Sequence, residues 1–205
     1  VSTADYIDSA CNRRQYHRWA KDLVMSGGAG QDWSQWLAPG RPEAGVAPTT
    51  AAVPVSTTTG ALARITNPTS GETLRLLKFD AVSYNNTSAL TLYDRLVHMG
   101  GLSGTVTTAQ TVSTSAITRG DTNGVGAIGF VEIYTALGAT PRTLSVNYTN
   151  TANVSGRTGS ASITANIPAS RLVRITLQSG DFGIKSIEDV TLSGTTGTAG
   201  NFGIT

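Results

Sequence analysis

Charge is scarce in this chain. Asp, Glu, Lys and Arg make up 14% of its 205 residues, and the formal net charge is +2, where an ordinary soluble protein carries about a quarter charged residues. The sequence pI of about 8.9 therefore rests on an excess of two positive charges. That is too few to build the basic surface nucleic acid requires, so nucleic acid is an unlikely partner. Cysteine is nearly absent: Cys11 stands alone, which excludes an internal disulfide framework and a multi-cysteine metal site, and fits synthesis in a reducing compartment. No apolar run approaches the roughly 20 residues that cross a bilayer, and the first residues carry no secretory pattern, so no membrane association is expected. The sequons at Asn86, Asn147 and Asn153 are then chance products of a Thr- and Asn-rich chain.

Catalytic residues are equally thin. The two histidines, His17 and His98, do not make a zinc set. In the run "LTLYDRLVHMGGLSGTVTTAQTVS", Leu90–Ser113, a strand register puts Asp94 and His98 on one face and Arg95 on the other. The two Cα atoms would then lie about 13 Å apart, too far for a His–Asp dyad. "RGDTNGVGAIGFVE" places Asp121, Asn123, Gly126 and Glu132 at positions one, three, six and twelve of a calcium loop. Position five, however, is Val125, which offers no side-chain oxygen, and no helices flank the run. Arg119-Gly120-Asp121 reads as a polar turn. No phosphate-binding glycine loop or nucleophile elbow occurs, and 13 carboxylates spread along the chain single out no acid–base pair. The chain reads as non-enzymatic, with no cofactor.

What is abundant is threonine, the commonest residue, and glycine, with 23. β-Branched residues suit pleated surfaces and glycines supply turns, so the composition points to an all-β fold. Residues 1–26 are the exception. "TADYIDSACNRRQYHRWAKDLVM" lacks Gly and Pro, has Ser2 or Thr3 as cap and Asp5 and Asp8 in the first turns, and ends at Gly27-Gly28; this predicts an N-terminal helix. Tyr16, Trp19, Ala20, Leu23 and Val24 share a face, interrupted by Arg13, Arg14 and Arg18. The basic group Arg13, Arg14, Arg18 and Lys21 is a solvated helix face, a dock for an acidic protein surface or, least favoured, a nucleic-acid contact.

Residues 27–60 carry Pro39, Pro42, Pro48 and Pro54, which predicts an extended arm. Trp33, Trp36 and Leu37 need something to pack against: either their own domain or a neighbouring subunit. From Ala61 to Thr205 the chain alternates short apolar-patterned runs with Gly, Asn, Pro and Ser clusters. Eight to ten strands are predicted, as an antiparallel β-sandwich of jelly-roll type. The tail "GTTGTAGNFGIT" is expected to be an edge strand or a loose end.

The runs "GALARITNPTSGETLRL", "LTLYDRLVHMGGLSGTVTTAQTV" and "RLVRITLQSGDFGIKSIEDVTLSGTTGTAGNFGIT" resemble structural proteins of tailed-bacteriophage virions, in particular capsid decoration (cement) proteins. The likeness spans most of residues 60–205. It implies a non-enzymatic virion component, made in the host bacterial cytoplasm, that binds the major capsid protein and itself, with a trimer favoured, through a jelly roll and an arm. On that reading Trp33, Trp36 and Trp19, with Leu37, carry assembly energy. The alternative is a tail, neck or fibre component that binds a host surface or carbohydrate.

Overall fold

The computed structural model describes residues 2–3, 18–25, 30–62, 78–80, 82, 89–112, 114 and 117–205. Eleven strands are present among them: β1 Ala20–Lys21, β2 Asp32–Trp33, β3 Gly40–Arg41, β4 Met99–Leu102, β5 Gln110–Thr111, β6 Phe130–Thr135, β7 Arg142–Asn150, β8 Arg157–Ile163, β9 Arg171–Arg174, β10 Ile184–Leu192 and β11 Asn201–Ile204. They form a five-stranded sheet in the order β2-β9-β6-β11-β4, a four-stranded sheet β5-β10-β7-β8 and a small β1-β3 pair. Every pairing is antiparallel. The chain is all-β, as its composition implies.

The two larger sheets share one core. β6 and β11 contribute Val131, Ile133, Phe202 and Ile204; β7, β8 and β10 contribute Leu144, Val146, Tyr148, Ile163, Val190 and Leu192. Strict alternation puts the inward residues of β7 two apart. In β10 the inward residues Ile184, Ile187 and Val190 are three apart, because the register against β7 shifts between Ile184 and Ser186 and again between Ile187 and Asp189. Each bulge inserts one residue and returns an apolar side chain to the core.

β6 is buried on both faces. Val131 and Ile133 point into the core, so Glu132 and Tyr134 lie on the outer face. They are nevertheless buried, because residues 30–62 run across that face as a strap. β2 pairs with β9 at one edge of the sheet, and Ala52 forms a bridge with His98, just before β4, at the other. Between them Pro48 accepts a hydrogen bond from the Gly100 amide, 2.6 Å. The prolines keep this segment extended, and its unpaired carbonyls find partners on the body of the protein.

Several expectations need correction. Residues 18–25 are not helical: Ala20–Lys21 is a strand against Gly40–Arg41. The strap supplies backbone partners there, and tertiary pairing overrides helix propensity; the rest of the predicted helix, residues 4–17, lies outside the described residues. Leu90–Val97 is not a strand; the ladder begins at His98 and Met99. The tail is neither edge nor loose end, since β11 lies between β6 and β4 with Phe202 fully buried. Gly203 makes this possible, because a Cβ there would collide with the Met99 carbonyl of β4. The strands expected in "ALARITN" and "TLRLLKFDAVSY" fall largely outside the described residues.

Candidate assembly site

The most concentrated group of polar side chains lies beneath the strap. The Arg95 guanidinium is 8% exposed and the Glu132 carboxylate fully buried, and the two form an ion pair. Arg95 donates through Nη1 to Glu132 Oε2 and through Nη2 to Oε1 at 3.1 Å. It also donates to Thr205 Oγ1 at 2.7 Å and Ser34 Oγ at 3.2 Å. Tyr134 Oη donates to Glu132 Oε2 at 3.0 Å. The Trp36 ring closes the group from the strap side: Arg95 stacks over it at 4.7 Å, and His98 meets it edge-on at 5.0 Å. Trp36 is fixed in turn by a 2.8 Å bond from its Nε1 to the Val46 carbonyl.

The electrostatics follow from burial and pairing. Burial disfavours charge on both Arg95 and Glu132, but each outweighs this for the other: the guanidinium is held above its ordinary range and the carboxyl below its own. For Tyr134, burial and the adjacent carboxylate both push the phenol up. His98 is driven down to about 4, by burial first and then by the Arg95 charge, with Glu132 opposing. Its Nδ1 is buried without a hydrogen-bond partner. Satisfied on nearly every side and closed to solvent, this cluster acts as a fastener. The Glu132 carboxylate is fully buried and the Arg95 guanidinium 8% exposed, so the hydroxyls that meet them face the protein interior.

The predicted chemical positions resolve accordingly. Asp94 is bound bidentately by Arg119, both contacts 2.9 Å, and not by His98. Arg119 also donates to the carbonyls of Pro54 and Arg95, so the Arg-Gly-Asp turn has its arginine engaged inside its own fold. Asp121 accepts the Asn123 and Val125 amides of its own turn. Glu132, at the twelfth calcium-loop position, is instead the partner of Arg95. Two surface hollows, about 380 Å³ beside Gly40–Glu43 and Ser56–Ala61 and about 310 Å³ beside Pro141–Thr143 and Ser162–Thr164, bring no histidine to their serines and threonines.

Of the predicted arm residues, Trp36 is buried within its own chain. Trp33, in β2, and Leu37 are half-buried, with Arg171 stacked 5.0 Å over the Trp33 ring. Trp19 is half-buried beside β1. Of the basic group, Arg18 is exposed, and Lys21 is turned onto the carbonyls of Ala38 at 2.9 Å and Glu43 at 3.0 Å. It therefore fastens the β1–β3 unit. Arg13 and Arg14 lie outside the described residues. Trp36 packs against its own chain, on Val46 and His98.

Sequence reading missed a different surface. The β5–β6, β7–β8 and β9–β10 loops meet at one end of the sheets, where Val125 bridges to Gly183. Val125, Val154 and Phe182 are each about half exposed or more, Phe182 at 71%. Asp181 ties the β9–β10 loop to the β7–β8 hairpin by accepting from Tyr148 Oη at 2.6 Å, Asn150 Nδ2 at 2.7 Å and Arg157 Nε at 2.8 Å. Exposed apolar residues scattered over separate loops are invisible as a pattern in sequence, because only strand order brings those loops to one end. Compared with protein-family models, curated proteins and solved structures, the chain matches none.

Proposed function

We propose that this chain is a non-enzymatic virion structural protein, a decoration protein that binds the outer surface of a tailed-phage head. The observation that carries the reading is the strand order. The last eight strands, β4 to β11, pass between the two sheets at every step except β7 to β8, so that β9-β6-β11-β4 faces β5-β10-β7-β8. That order supports reading the two sheets as a jelly roll with two Greek keys, an architecture used by viral capsid and lectin domains. Fold alone admits several functions; the assembly role is favoured by the rest of the molecule. The polar cluster under the strap is sealed and structural, and three exposed apolar side chains, Val125, Val154 and Phe182, sit on loops at one end of the sheets, where Asp181 ties the β9–β10 loop to β7 and β8. A preorganised apolar patch with a polar rim suits protein contact. Repetition around a symmetric shell makes a modest contact sufficient, through avidity. Self-association as a trimer and residence in the virion belong to the same proposal.

Co-sedimentation with purified empty heads of the phage that encodes it tests the reading. Saturable binding is expected, and Phe182→Ser is expected to weaken it at least tenfold without lowering the melting temperature. Failure to bind heads, with retention on a glycan surface, would transfer the chain to a tail or fibre role.

A further inference from the structure

We infer that His98 is an acid-sensitive latch for the strap: gaining a proton there releases residues 30–62 from the outer face of the five-stranded sheet. The geometry is that of an interface residue with no room for a second charge. His98 exchanges two backbone hydrogen bonds with Ala52, both 2.9 Å, and its ring abuts Trp36. These are strap contacts, so the residue that would be protonated is also the residue the strap holds.

The charged and titratable groups facing it are few. Arg95 comes from its own segment, and Glu132 and Tyr134 come from β6. The strap contributes Ser34, Trp36 and Ala52, none of which titrates. The Arg119–Asp94 pair stands further out, on the Pro54 and Arg95 carbonyls. Among the described residues, Glu132 is the one group facing the ring that could neutralise an imidazolium, and it is already committed to Arg95 and Tyr134. A protonated ring would add a second positive charge beside Arg95 and leave Nδ1–H, already without a partner, as a buried unpaired donor.

The direction follows from linkage. Latched, the imidazole titrates near 4; released, it returns to about 6.5. The released state therefore binds more protons between those values, and the latched state loses ground as pH falls through that window. From pH 7 to pH 5 the released-to-latched ratio is expected to rise roughly twentyfold.

Hydrogen exchange on the whole chain reads this directly. Protection factors at the Gly45, Ala52 and Gly100 amides, which bond within the strap or across its edge, should fall about twentyfold between pH 7 and pH 5, while β7 amides hold theirs. His98→Gln should abolish the fall. A wild-type strap whose protection is flat over that range, or a His98→Gln strap that loses protection as the wild type does, overturns the latch. Should His98→Gln not fold, the wild-type imidazole resonances decide, assigned with His17→Gln: titration of His98 near 4 supports the latch, and titration near 6.5 overturns it.

Discussion

Replacing Arg95 by Met should be among the most damaging single changes in this protein. The side chain makes four hydrogen bonds, two to Glu132 and one each to Thr205 and Ser34, and lies against Trp36. Met keeps part of the apolar contact but leaves a fully buried carboxylate with only the uncharged hydroxyls of Tyr134 and Ser34 as side-chain donors. Removing one partner of a buried ion pair costs about 3–5 kcal/mol. Replacing both partners by apolar side chains of similar volume costs far less, so Arg95→Met with Glu132→Met should recover about 2 kcal/mol or more of that loss. The single change also carries a pH signature. Without Arg95, the Glu132 carboxyl is raised above its unfolded value by burial, so it binds a proton on folding and the penalty shrinks as pH falls. Urea unfolding followed by far-ultraviolet circular dichroism, at pH 8 and pH 6, measures all three. A single-variant loss under about 1 kcal/mol, or a double variant no more stable than Arg95→Met, would mean that the strap does not seal this face.

The two strap tryptophans should differ in the same assay. Trp36→Ala empties a buried site and should cost about 3–5 kcal/mol, whereas Trp33→Ala, at a half-exposed stack on Arg171, should cost about 1 kcal/mol. At the loop end, hydrogen bonds from Arg157 and then Tyr148 hold the Asp181 carboxyl near 2, with burial opposing them. A depressed carboxyl contributes stability above its unfolded value that is lost as pH falls through its folded one. The near-ultraviolet signal of Tyr148 should therefore change between about pH 4 and pH 2, and Asp181→Asn should remove that step.

Much of the architecture was legible in the chain. Threonine, turn residues and short apolar runs identified an all-β fold, and β7, β8 and β9 follow the alternation of "RTLSVNYTN", "GSASITANI" and "RLVRITLQ". The strap was legible as an irregular segment, through Pro39, Pro42, Pro48 and Pro54. Its destination was not, because nothing local says which face a tryptophan will cover. Arg95 shows the limit most clearly. Read as a strand residue it pointed away from His98, but Leu90–Val97 is irregular, and both side chains turn to Trp36. Its partner Glu132 lies in "FVEIY", where an alternating strand predicts a wet face; a sheet covered on both sides breaks that rule. β11 is hard to read for a related reason: "NFGI" is short and contains glycine, and only the close approach of β4 explains that glycine.

Electron cryo-microscopy of empty heads incubated with the purified chain tests the central claim most directly. Added density is expected on the outer shell at symmetry-related positions, of a size matching a β-sandwich, with the end bearing Val125, Val154 and Phe182 against the shell. Heads that remain bare at saturating protein, or density confined to the neck or tail, would contradict it.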